Sequence, residues 1–424
     1  MTSTVLIPRL NAPTLHRLPN GLTIVAEQMP IEAVNLSLWV NVGSAVESDA
    51  INGIAHFLEH MVFKGTQRLC SGEFERLIEE RGAVTNAATS QDYTHYYITT
   101  APKDFAQLAP LQIDVVQNCM IPDDGFERER LVVLEEIRRS DDNPRRRTFQ
   151  RAMQTAFECL PYRRPVIGPA EVISQLTPQQ MRDFHQTWYQ PRAMTAVAVG
   201  NLPVEELIEV VSEGVQTNTS QSIPQKYSPT NTSESPFTEI VRHEYVDESL
   251  QQARLVMVWR VPGLMQIEQT YALDVLAAIL GHGRTSRLVR ELREEKGLVS
   301  HISVSNMTQQ LQGVFYISAA LPIENIPVVE AAIAQHIQTI QTQPVQESEI
   351  ARIRTQVANR FIFGNETPSD RASLYGYYHS MVGDLEPAFE YPTEIQRVDA
   401  TDILAAAQQH LSPNAYGVVI HKPA

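Results

Sequence analysis

What most constrains this chain is that its hydrophobic pattern is written twice. Residues 216–236, near the midpoint, are dominated by Asn, Gln, Ser, Thr and Pro, the composition of a solvated linker rather than of a packed element. On either side the pattern runs strand, helix, helix, strand. In the first half residues 34–42 alternate as a strand, a helix follows around residues 56–60, residues 71–81 read as a second helix and residues 94–99 as a strand. In the second half the same order is read in residues 252–260, 271–280, 286–295 and 313–319. A chain of 424 residues also exceeds what one hydrophobic core organises. The pattern therefore predicts two related domains, 1–215 and 237–424, joined by the linker. Setting Gly65 against Gly281 brings the first helices into register, and there the halves part: His56, Glu59 and His60 stand opposite Ala272, Val275 and Leu276.

The run His56-Phe57-Leu58-Glu59-His60 carries chemistry if it is helical. Residues i and i+4 lie one turn apart on one face, so both imidazoles reach a single ion. Glu59, beside the second histidine, can touch a metal-held water without being a ligand, the position of a general base. H-x-x-E-H is the inverse of the commoner H-E-x-x-H order. A third ligand is offered by the acidic segment 126–137, where Glu129 and Glu136 fall on one helix face at i and i+7, beside Val132 and Val133, while Glu135 points elsewhere. Glu136 is thus expected as the third zinc ligand, and Glu129 as an acceptor that orients a histidine.

These segments resemble those of the pitrilysin, insulysin and mitochondrial processing peptidase family of zinc metallopeptidases. The run from His56 to Thr66 looks like that family's zinc motif, and residues 127–136 look like the segment that supplies its third ligand, which places that ligand at Glu136 and matches a further active-site glutamate to Glu129. Residues 81–97 are similar to the family's active-site edge strand, in which Asn86 and Ala87 match positions that hold the substrate backbone. The resemblance runs from about Leu18 to the C-terminal region.

Several expectations follow from the resemblance. The fold is α+β, two homologous domains each with a mixed, largely antiparallel sheet and helices on one face, and only the first domain carries zinc, one ion per chain. The activity is that of a zinc endopeptidase: Glu59 activates a zinc-bound water against an extended peptide laid as a strand beside Asn86. In the family two such two-domain halves close around the peptide, so the chain is expected to work as a homodimer or as a heterodimer with a related subunit. Phe315, where an arginine reaching the substrate would be expected, leans towards a related partner. The alternative, from another functional class, is a non-catalytic assembly or core subunit on the same scaffold.

Composition narrows the setting. A net charge of −15 argues against nucleic acid as a partner. It would favour basic peptides if it lines the substrate chamber, or serve solubility alone. No run of about 18 apolar residues is present to span a membrane. Met1 to Asn11 has neither a secretory apolar core nor an arginine-rich presequence, so a cytoplasmic protein is expected. Cys70, Cys119 and Cys159, odd in number and without metal spacing, read as free thiols. Residues 281–286 look like a phosphate loop but lack the Walker lysine and read as a turn. Arg145, Arg146, Arg147, Arg151, Arg163 and Arg164 form a basic patch, either a solvated surface or a site for an acidic partner or substrate terminus.

Overall fold

The computed structural model describes residues 10–215 and 233–424; most of the expected linker, residues 216–232, lies outside the described residues. The first half contains strands β1 (Thr14–Arg17), β2 (Thr23–Gln28), β3 (Val34–Val40), β4 (Val84–Thr89), β5 (Thr94–Thr100) and β6 (Met194–Gly200). Its helices are α1 (Ile54–Val62), α2 (Glu73–Glu80), α3 (Pro102–Gln117), α4 (Asp123–Asp141), α5 (Pro144–Ala156), α6 (Ala170–Gln175), α7 (Pro178–Trp188) and α8 (Val204–Gly214). The second half contains β7 (Val241–Val246), β8 (Ala253–Pro262), β9 (His301–Met307), β10 (Gln312–Leu321) and β11 (Gly417–Lys422). Its helices are α9 (Tyr271–Gly281), α10 (Ile326–Thr342), α11 (Glu347–Phe363), α12 (Pro368–Val382), α13 (Glu386–Arg397) and α14 (Ala400–His410).

The duplication is visible in the topology. One sheet has the order β1-β2-β6-β3-β5-β4 and the other β7-β11-β8-β10-β9. Apart from the added β1 the orders correspond strand for strand, and the parallel pair falls at the same place in each, β2 with β6 and β7 with β11. Every other pairing is antiparallel. Each half is thus the mixed, largely antiparallel α+β unit expected. Residues 281–286 turn after α9, and the helix expected over 286–295 closes as a π-helical segment, Val289–Glu295.

The alternation of residues 34–42 implies one wet face, yet every residue of β3 is buried. One face, with Leu36 and Leu38, joins the core that packs under α1 and α3. The other, with Val25, Trp39, Val197 and Val199, is covered by Ala372, Tyr375 and Leu385 from the second half. The amide of Asn35 and the hydroxyl of Ser37 on this face bond locally: Asn35 donates to Thr99 at 2.9 Å and Ser37 to Asn35 at 3.0 Å. The exchange is mutual, because Ala152, Met153 and Ala156 of α5 cover Val256, Val258 and Val419 of the second sheet. Each sheet therefore has its own helices on one face and a helix of the other half on its back. A buried ion pair pins α12 in place: Arg371 donates to Glu27 of β2 at 2.8 Å, and the Tyr375 hydroxyl donates to the same carboxylate at 2.7 Å. Gly376 lets α12 lie this close, since a Cβ there would sit 1.9 Å from Trp39 Nε1.

Candidate active site

Helix α1 begins at Gly53, whose left-handed backbone (φ 97°) suits a residue without Cβ and offers no capping side chain. The cap comes instead from Glu47, whose carboxylate accepts from the Gly53 and Ala55 N–H groups and from Asn52 Nδ2, each at 2.8 Å. Burial pushes the Glu47 carboxyl up to about 7, against those hydrogen bonds, which lower it. Phe57, Leu58 and Met61 are buried, which turns His56, Glu59 and His60 to the remaining face. Phe57 stacks on Phe126 with centroids 4.5 Å apart. With Val133 and Ile137 also buried, α4 rests against α1 with its carboxylate face towards the histidines.

There the expected residues meet. Glu136 Oε2 lies 3.7 Å from His56 Nε2 and 3.5 Å from His60 Nε2. One ligand atom from each of His56, His60 and Glu136 lies within 4.8 Å of the others, a donor set of two imidazoles and a carboxylate that suits zinc and leaves a position for water. Glu129 Oε1 stands 3.0 Å from His60 Nδ1, and its other oxygen is 2.7 Å from Lys64 Nζ. Glu135 lies apart, paired with Arg138 and Arg139, which push its carboxyl down to about 2.

The two histidines are held unlike each other. Burial, then the neighbouring His60, pushes His56 down to about 4. Burial alone would also lower His60, but Glu129 and Glu136 outweigh it and push it up to about 9. Burial raises the Glu59 carboxyl, while the Thr89 hydroxyl donates to it. A carboxyl raised in this way is a better proton acceptor near neutrality than an exposed one.

Asn86 and Ala87 lie on β4, which among the described residues pairs only with β5 and so presents an open edge. The Ala87 N–H is occupied by the Asn86 side chain at 2.9 Å. Phe315 is fully buried in the second core. Sequence reasoning missed three residues. Lys64 follows His60 by one helical turn and Thr89 follows Ala87 by the strand period of two, so both were within reach of periodicity. Glu47 carried no local signal.

The first half, residues 23–170, matches the insulinase family, peptidase family M16, and residues 175–357 match the M16 inactive domain. The chain therefore belongs to peptidase family M16 and is a metallopeptidase of that family. It is 28% identical to the zinc protease PqqE of Helicobacter pylori, over 96% of this chain and 92% of that one. It is 27% identical to an uncharacterized zinc protease of Rickettsia bellii, over 96% and 97%. Its fold is similar to that of a solved Helicobacter pylori protease, with a TM-score of 0.90, 27% identity and coverage of 98% and 100%. A chain of complex III2 from Candida albicans shares the fold alone, with a TM-score of 0.81 at 15% identity over 96% and 95%. No described helix is long and apolar enough to cross a membrane.

Proposed function

We propose that the chain is a zinc endopeptidase that cuts extended peptides, with one zinc held by His56, His60 and Glu136. The observation that carries this is the convergence of those three side chains with Glu59 beside them on α1. Bound there, zinc supplies an acidified water and polarises the carbonyl under attack. Glu59 accepts the proton of the attacking water and delivers it to the leaving amine. Glu129, clamped by Lys64, holds His60 in the orientation that aims Nε2 at the site. The peptide adds as a strand to the open edge of β4, with Asn86 and Ala87 holding its backbone.

In this reading the domains divide at 1–215 and 237–424, and a second copy or a related chain closes the chamber. Three free thiols, Cys70, Cys119 and Cys159, fit a reducing compartment such as the cytoplasm. The test is zinc content measured together with cleavage of an unstructured peptide, before and after chelation and zinc return. A chain that binds no zinc, or that binds it and cuts nothing even with a partner supplied, overturns the reading. Specific activity that stays constant on dilution through a light-scattering monomer refutes the closed two-chain chamber.

A further inference from the structure

We infer that Arg146, with Arg145 beside it, selects peptides that carry an acidic side chain next to the bond being cut; this rests on reading the site as a peptidase centre. A cleft of about 730 Å³ opens from His56, Thr89 and Glu136, and its wall includes Arg145 and Arg146 on the first turn of α5. The six arginines of the basic patch are not alike. Arg147 pairs with Asp247, Arg163 and Arg164 pair with Asp49, and Arg151 lies over the Tyr245 ring. Arg145 and Arg146 are exposed and, among the described residues, their guanidinium groups have no hydrogen bond or ion pair. Asp141 and Glu171 border the same cleft, yet neither comes within ion-pairing distance of them.

Their placement runs against local preference. Cations are disfavoured at the positive end of a helix, and the free N–H groups of this end already have Asn143 as their cap. Two unpaired arginines there gain nothing from the helix dipole, and their guanidinium groups stand free to meet a ligand. Arg146 lines the same cleft as His56 and Glu136, so a peptide seated at the centre passes it. A planar guanidinium with free donors matches a carboxylate bidentately. The overall charge of −15 therefore does not describe this wall, and peptides with Lys at the facing position are disfavoured.

The experiment uses otherwise identical unstructured peptides with Glu, Gln or Lys at each position around the bond. The wild-type zinc protein should favour Glu over Lys in kcat/KM at one position on the order of tenfold, as for a partly exposed ion pair. Arg146→Glu should invert that ratio, Arg146→Gln should bring it near one, and raised salt should weaken it. Binding of the same labelled peptides to the Glu59→Gln protein gives a second readout that needs no turnover. Equal Glu and Lys ratios in wild type and Arg146→Glu, by cleavage and by binding, overturn the inference. Absence of all cleavage with the Glu preference retained in binding would instead count against the peptidase reading.

Discussion

Helices α1 and α9 follow equivalent central strands, β3 and β8, in two sheets of the same order, yet one carries a candidate metal-binding group and the other core residues at the same positions. At the positions of Glu59 and His60, α9 has Val275 and Leu276, both fully buried. The difference lies in what meets each helix. Helix α1 meets a carboxylate-bearing face of α4, whereas α9 is covered by α11, α13 and α14. The duplicated unit thus accommodates either lining on the same scaffold: a candidate metal group on α1 that α4 answers, or core residues at the same positions of α9.

The sharpest break in that comparison is loss of the metal. His56→Ala or Glu136→Gln should lower zinc affinity by at least about a hundredfold, because three protein ligands become two. Glu135→Gln, one position away, should leave zinc content unchanged. Metal analysis after dialysis decides this, and zinc lost from Glu135→Gln but kept by Glu136→Gln would reverse the assignment. Next comes Glu59→Gln, expected to keep zinc while peptidase activity falls by about two to four powers of ten, since an amide cannot take the water's proton. Loss of metal in that variant would make Glu59 a ligand instead of a base.

Smaller effects probe the exchanged helices. Gly376→Ala drives a Cβ into Trp39, and Ala152→Leu overfills the equivalent contact of α5 on the second sheet. Each should cost about 1–3 kcal/mol in urea unfolding. If either is neutral, that helix is not fastened to the opposite sheet.

The smallest effect is in pH. Burial pushes Asp92, which accepts from the Gln310 N–H of the second half at 3.1 Å and from the Tyr162 hydroxyl at 3.0 Å, up to about 6. Burial likewise pushes Asp274, held by Asn306 and Tyr391, up to about 6. A carboxyl whose folded pKa lies above its unfolded value makes the folded chain the tighter proton binder. Stability should therefore fall as pH rises from about 4 through about 6. Asp92→Asn and Asp274→Asn should each flatten part of that fall in thermal unfolding followed against pH. An unchanged profile for Asp92→Asn would show that this tie between the halves does not titrate there.

Much of this was legible in the sequence because it is periodic. His56, Glu59 and His60 share a face by i, i+3 and i+4, and Glu129 with Glu136 by i and i+7, so helix geometry alone separated Glu136 from Glu135. The strand and helix order of both halves was readable in the same way, since burial on one face imposes a period of two or 3.6. Periodicity reports only that a face is buried, not what buries it. The alternation of β3 puts Asn35 and Ser37 on one face without saying what meets that face, and α12 from more than three hundred residues away lies over it. Likewise Glu47 caps α1 across a loop, and Arg145 and Arg146 stand out from the other arginines only because folding gives four of the six a partner. Local spacing determined which side chains share a face, whereas tertiary packing decided which faces meet, because those contacts join residues with no fixed separation along the chain.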